Sequence, residues 1–454
     1  MSTQWPVWYI LGRCFLGWRR LTTIRLNEVE KIAAESPPNA GTVEGPAGRK
    51  WNYGWVVIGA FMAIDSMVHA MMFSLGVLLP PISEEMGMSL SQTGWLGSFN
   101  WMVPALLSIP FASLLARYRP KRLVAVSTLV GVPLVFLQGW APNYWILLAA
   151  RIAFMAITLA RIPARPHLVR QWFPASRITL VNSILTVGIG AAAATVIFVT
   201  GDLIEALNGW RNTFYLFGGL SALTFLGWMV LGRENPHPVT DVASEAREPF
   251  PIKALVRYKA LWLLGMGITG DMLCFGAMET LWPKFALQEG IVSLEQASYC
   301  LGLTYYGFMI GCMVGGVISD KIGRRKPLLW IPGFFLPPLT LGILFANSFP
   351  LLGVLWFLWG LSEVYFPIIY TIPYELPRIK TSELAVATAF VGSMFTAGAS
   401  IGPIMAGYVA QAFGSLQLGL GVTCVFPFLL VVAGLLIPET GPAARREETA
   451  SRQE

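Results

Sequence analysis

An all-α integral membrane protein with twelve transmembrane helices, arranged as two pseudo-symmetric six-helix bundles, is predicted from three observations. The first is composition. Of 454 residues, 55% are hydrophobic and only 13% charged, with a mean hydropathy of +0.60, an apolar excess too large for a water-soluble domain. The second is the length of the apolar runs. A helix needs about 20 apolar residues to cross roughly 30 Å of hydrocarbon. Twelve segments qualify, at 54–79, 92–115, 122–140, 144–164, 178–200, 213–232, 260–283, 296–319, 327–346, 350–373, 384–410 and 416–437. The third is repetition: the cationic turn in the stretch Gly315 to Lys326 has a worn copy 204 residues earlier, from Ala112 to Arg122.

Taken in order, residues 1–52 form a tail expected on the cytoplasmic side. Within it, residues 5–24 mix Trp5, Trp8, Tyr9, Phe15 and Trp18 with arginines, which fits either an interfacial helix or an unimportant leader. Residues 35–50, with Pro37, Pro38, Gly41, Gly45 and Pro46, read as a flexible linker. No cleavable signal peptide is expected, because Arg13, Arg19 and Arg20 interrupt the only early apolar stretch. The N-terminal bundle follows at 53–232, a polar central loop with Pro236, Pro238 and Pro251 at 233–259, the C-terminal bundle at 260–437 and a tail at 438–454.

The net charge of +7 and pI near 9.2 do not indicate nucleic acid, since the basic residues sit in short clusters between apolar runs. They set topology instead. With the N-terminus inside, Arg117, Arg119, Lys121, Arg122, Arg170, Arg177, Lys321, Arg324, Arg325, Lys326, Arg378, Lys380, Arg445 and Arg446 share one side, while the opposite loops hold little beyond Arg211 and Lys284. Both termini are therefore expected to be cytoplasmic, in a multi-pass protein of the inner (cytoplasmic) membrane whose partner is the lipid bilayer. A monomer is the expected state. The five cysteines, Cys14, Cys274, Cys300, Cys312 and Cys424, lack paired spacing, so neither a disulfide frame, a metal site nor a cofactor is expected. Trp51, Trp55, Trp140, Tyr144, Trp145, Trp172, Trp210 and Trp282 fall at span ends and read as an aromatic belt.

Independent positions support the repeat. Ser89-Leu90-Ser91-Gln92 matches Ser293-Leu294-Glu295-Gln296, a capping box at a helix start in each half. Asn143 pairs with Asn347 and Pro163 with Pro367; a small gap places Asp65 opposite Asp271.

Twelve spans, twofold repetition and a basic turn after the second span of each half resemble the major facilitator superfamily over about residues 53–437. The family's basic loop, Gly-x-x-x-Asp-x-x-Gly-Arg-Arg/Lys, is matched at Gly316, Asp320, Gly323, Arg324 and Arg325, whereas the first half carries Ala112, Ala116 and Arg119 in place of Gly, Asp and Gly. The resemblance implies a conformational latch in which the Asp320 carboxylate contacts a neighbouring helix end, working in the second half alone. The family's fourth-helix pattern is matched by Arg151, Pro163, Phe173 and Pro174, with Met155, Ile157 and Leu159 where glycines are usual. In the eleventh span Gly398, Gly402, Pro403 and Gly407 form a small-residue stripe that lets backbones approach closely. The fifth span lacks the glycine-proline run of the family's antiporters, which disfavours drug:proton antiport.

Charges inside the membrane are the candidate chemistry. Asp65 lies roughly 15 Å into the first span, and His69, four residues on, shares its helical face, so the two are positioned to share or relay a proton. The alternative is a structural hydrogen-bonded pair between helices. Asp271 occupies the equivalent depth in the seventh span. The family's cavity is lined by the first, fourth, seventh and tenth helices, which implies that Asp65 and Asp271 are partners across it. Arg151 holds a family motif position and is expected in a coupling or substrate role; Arg161, nearer the cytoplasmic end, either joins it or snorkels. Glu363 of the tenth span either faces the cavity or caps packing, and Glu279 reads as solvated or as a gate contact.

The run Tyr53-Gly54-Trp55-Val56-Val57 with Gly76 to Glu85 looks like the first helix of bacterial monocarboxylate and oxalate:formate carriers, although the arginine or lysine those carriers use is missing from residues 296–315 and 384–410. The expectation is a secondary transporter working by alternating access, proton-coupled, and moving a small organic anion such as a monocarboxylate through Arg151 or Arg161. Efflux of an amphipathic compound and a transport-inactive sensor or assembly role are the alternatives. No constellation for enzymatic chemistry is present.

Overall fold

A computed structural model of the chain describes residues 48–115, 118–235, 257–376, 379 and 381–441. The predicted Ala116 and Arg117, Arg378 and Lys380, most of the central loop and both tails with Arg445 and Arg446 lie outside the described residues. Among the described residues the fold is all-helical, and eleven helical stretches are long and apolar enough to span a bilayer. The remaining predicted span is the 26-residue helix Leu90–Leu115, so each of the twelve predicted segments is a helix.

Repeat symmetry is visible in how the helices start and break. At the second span Ser89 N–H donates to Gln92 Oε1 (2.9 Å) and Gln92 N–H to Ser89 Oγ (3.2 Å). The eighth span, Leu294–Ile322, has the same reciprocal box through Ser293 and Gln296. The fourth span is Tyr144–Thr158, a 3₁₀ turn Leu159–Arg161, then Ala164–Trp172; the tenth is Phe349–Leu361, a 3₁₀ turn Ser362–Tyr365, then Phe366–Glu375. Both breaks precede the repeat-related prolines. Pro163 and Pro367 have no N–H to offer the carbonyls of Leu159 and Glu363, so the turn tightens, with Ile162 N–H reaching Leu159 O at 3.0 Å.

A third break, between Gly48–Phe73 and Leu75–Glu85 in the first span, is held by Arg151. This fully buried guanidinium donates through Nε to Asn100 Oδ1 (2.8 Å), through Nη1 to Gln138 Oε1 (3.2 Å) and through Nη2 to Met71 O (3.0 Å). Asn100 Nδ2 in turn donates to Met72 O at 2.9 Å. One arginine thus ties four spans together with its polar groups satisfied, the condition for burying a charge.

Close helix packing depends on glycines facing backbone. A Cβ on Gly315 would stand 2.0 Å from Val364 O of the tenth span, whereas one on the motif glycine Gly316 would meet open space. The predicted stripe in the eleventh span behaves likewise, with Gly402 against Leu273 O of the seventh. At the end of the bundle opposite the basic turns, such contacts join the two halves: Gly76 lies against Glu279 O and Gly94 against Pro403 O.

The basic turn closes on Gly323, whose left-handed φ of 66° ends the eighth span. Arg325 then binds Glu375 at the end of the tenth span, Nη2 to Oε1 at 2.6 Å, and donates through Nη1 to Ser319 Oγ. The Glu375 hydrogen bond raises Arg325 above the ordinary guanidinium range. Glu439 accepts the Arg325 N–H at 2.6 Å and so sits at the amino end of the ninth span. Asp320, expected as the latch acid, is 84% exposed and 3.8 Å from Arg325; the contact to a neighbouring helix end is made by Glu375 instead. The aromatic belt also needs correction. Trp140 and Trp145 are exposed, but Trp172, Trp210 and Trp282 are buried in packing, with the Trp210 indole N–H on Glu85 Oε2 at 2.6 Å.

Five variants test these assignments by thermal unfolding in detergent. Gly315→Ala is expected to lower stability by about 1–3 kcal/mol through overpacking while Gly316→Ala leaves it unchanged. Arg151→Ala is expected to cost roughly 3 kcal/mol or more, because Asn100, Gln138 and a freed carbonyl lose their donor together. Glu375→Gln is expected to lower the unfolding temperature measurably, and Asp320→Asn to leave it in place.

Candidate functional site

A cavity of about 570 Å³ lies between the halves. It is bounded on one side by the joined ends of the bundles, where Tyr305 OH donates to Glu279 Oε1 (2.7 Å) and the Tyr305 ring packs on Phe73 at 4.9 Å across the interface. Trp95 Nε1 reaching Tyr408 OH (3.2 Å), Tyr299 OH on Asp202 (2.7 Å) and Lys284 Nζ near Thr93 Oγ1 (3.4 Å) close the same end. Glu279 is buried here, so its role is a contact in this seal and the solvated alternative fails. From the seal the cavity runs toward the basic turns as far as Arg165.

The amino-terminal wall carries Asp65, His69, Arg161 and Arg165. The 3₁₀ turn ahead of Pro163 delivers Arg161, which is 4% exposed, and its Nε has no hydrogen-bond partner among the described residues. Its nearest acid is Asp65, with Oδ1 at 3.7 Å from Nε, an ion pair too long to be a hydrogen bond. His69 Nδ1 donates to the Asp65 carbonyl oxygen at 2.8 Å and stands 3.8 Å from Oδ2. The imidazole is therefore tied to its own helix backbone, and the carboxylate stands between it and Arg161 at nearly equal distance. Arg165, one turn beyond Arg161, donates through Nη2 to Thr186 Oγ1 (2.8 Å) and Asn182 O (3.1 Å).

The carboxyl-terminal wall contributes one acid, Glu363, from the matching 3₁₀ turn of the tenth span. It is almost fully buried and neither carboxyl oxygen has a hydrogen-bond partner among the described residues. Asp271 lies behind this wall, fully buried, accepting a hydrogen bond from Tyr365 OH on Oδ2 while Oδ1 is unpartnered. The Glu363 carboxyl is its direct electrostatic neighbour. Asp65 and Asp271 therefore do not face each other across the cavity; the two acids that share it are Asp65 and Glu363.

The repeat clarifies the arrangement. Arg161 and Tyr365 are equivalent positions, 204 residues apart, and each contacts the equivalent first-span acid of its half, Asp65 or Asp271. One architectural element thus holds an ion pair in one half and a phenol–carboxyl pair in the other.

Of the residues singled out in the sequence, Asp65, His69, Arg161 and Glu363 come together in the cavity. Arg151 is outside its lining, engaged wholly by protein groups, and Gly316, Asp320, Gly323, Arg324 and Arg325 lie at the basic turn. Sequence reasoning missed Arg165, although its four-residue spacing from Arg161 was a usable signal. It also missed the ring wall formed by Trp101, Phe275 and Tyr305, which nothing in an apolar run distinguishes from lipid-facing residues.

A profile of the Major Facilitator Superfamily matches residues 58–337 and 292–453. The chain is 22% identical over 404 residues to the probable sulfoacetate transporter SauU of Cupriavidus necator, covering 80% of this chain and 89% of that protein. It is 25% identical over 329 residues to the probable galactarate/D-glucarate transporter GudP of Escherichia coli, covering 64% and 71%. In fold it is similar to a bacterial homolog of the human lysosomal transporter Spinster, solved in an inward-facing and unoccupied conformation, with a TM-score of 0.73, 16% identity and coverage of 85% of this chain and 97% of that one. The chain belongs to the Major Facilitator Superfamily and is a membrane transporter, not an enzyme.

Proposed function

We propose that this protein moves a small organic anion across the cytoplasmic membrane by proton-coupled alternating access, with the basic turns on the cytoplasmic side. The observation that carries the reading is Arg161: a guanidinium buried in the cavity wall whose one partner among the described residues is a loose ion pair, with Nε lacking a hydrogen bond there. A buried charge in this condition is costly unless something supplies its hydrogen bonds, and a carboxylate or sulfonate does so with bidentate geometry. Two relatives are named as probable transporters of sulfoacetate and of galactarate/D-glucarate, which are anions of this chemistry.

Coupling follows from the same pair. An anion on Arg161 competes with Asp65 for the same guanidinium, and we assign Asp65, which lines the cavity beside it with His69 and Arg165, as the group that carries the coupled proton. Glu363, across the cavity and without a cation, is a second acceptor, backed by Asp271 and Tyr365. The seal at Tyr305, Glu279 and the glycine contacts closes the outer end, so the anion and the proton leave together toward the cytoplasm.

Reconstituted vesicles test this. Inward transport is expected to rise as the outer pH falls. Arg161→Gln is expected to weaken anion binding roughly 30-fold or more, and Asp65→Asn combined with Glu363→Gln to retain anion exchange while losing uphill accumulation driven by a proton gradient. Unaltered binding in Arg161→Gln would overturn the reading.

A further inference from the structure

The half of the cavity facing Arg161 has a different chemistry from the cationic corner. Trp101 of the second span packs edge-on against Phe275 (6.3 Å between ring centroids) and Phe395 (5.8 Å), Phe395 against Phe366 (5.7 Å), and Phe366 against Phe308 (5.1 Å). All five rings line the cavity. Phe275 is fixed from behind by parallel stacking on Trp359, at 5.5 Å and 8° between planes. These rings come from five different spans and from both halves, so the wall is a property of the assembled cavity and not of one helix.

The polar side chains of the lining are as informative. Beyond the charged groups and Tyr305 they are threonines at 158, 186, 304 and 396, and no Asn, Gln or Ser is present among the described lining residues. Thr158 Oγ1 and Thr304 Oγ1 already donate to carbonyls of their own helices, at 2.8 and 3.2 Å. A polyhydroxylated acid brings a row of hydroxyls that each need a partner once water is removed. This cavity offers few partners for them, and offers flat apolar faces on which an aromatic body stacks edge-to-face or offset.

Resting on the anion reading above, we infer that the substrate is a single-headed anion with a planar apolar body, an aryl or arylalkyl carboxylate or sulfonate. Its head binds Arg161 and its ring lies against Phe275, Phe395 and Trp101. The pairing of one cationic corner with an aromatic wall makes Phe395 and Phe275 specificity-determining residues: they select the body and leave the head alone.

The test is thermal stabilisation of the purified protein by benzoate, 2-naphthoate, acetate and D-glucarate. Stabilisation is expected to follow the order 2-naphthoate, benzoate, acetate, with D-glucarate no better than acetate. Phe395→Leu and Phe275→Leu are expected to weaken 2-naphthoate roughly 3- to 10-fold without changing acetate, and the Leu side chains keep the wall apolar so that folding is preserved. D-glucarate stabilising as well as benzoate or better, with that effect lost in Arg161→Gln, overturns the aromatic assignment and leaves the anion site standing. Stabilisation by none of the four overturns both.

Discussion

Two missing N–H groups organise the working part of this molecule. Pro163 and Pro367 cannot close the helical bonds to Leu159 and Glu363, and the tightened turns that result turn Arg161, Glu363 and Tyr365 inward at the middle of the bundle. Without the breaks, a continuous helix at these positions would carry different side chains toward the cavity. The glycine contacts of the tenth span with the eighth, and the Arg151 clamp on the first span, hold the broken helices against their neighbours. The rigidity of these supports lets a buried cation and buried acids coexist without collapsing onto one another.

The internal repeat supplies the same element twice and the sequence then divides the labour. In the first half the turn presents a cation to Asp65 in the cavity. In the second it presents a phenol to Asp271 behind the wall and leaves Glu363 at the surface of the cavity. In the mechanism proposed above, Arg161 as the anion-binding charge and Glu363 as the second acid face each other from opposite halves, and rocking of one half against the other changes the distance between them. The closed end is built from backbone contacts at Gly76 and Gly94 and from the packing of the Tyr305 ring, held by Glu279 of its own half, on Phe73.

Fold class and the twelve spans were legible because hydropathy and helix length are written locally, and the capping boxes at Ser89 and Ser293 are wholly local signals. Asp65, His69, Arg161 and Glu363 were legible as candidates because a charge in an apolar run is conspicuous. Partnership was not. Arg151 and Arg161 look alike in sequence, yet one is sealed by Asn100 and Gln138, which lie 51 and 13 residues away, and the other is left loose. Asp320 fits the loop motif, but the acid that hydrogen-bonds the Arg325 guanidinium is Glu375, 50 residues on. The aromatic wall was hidden for the same reason, since rings facing lipid and rings facing a cavity have identical local sequence. Pairings of this kind arise only when distant spans are brought together, and no local pattern encodes them.

The central claim is that anion and proton are linked through Arg161 and Asp65. It is tested most directly by mixing purified protein with benzoate in weakly buffered solution and recording proton uptake with an indicator dye. The account predicts uptake approaching about one proton per bound anion near neutral pH, and its loss in Asp65→Asn and Glu363→Gln combined. Saturable binding of the anion with no proton taken up would contradict it.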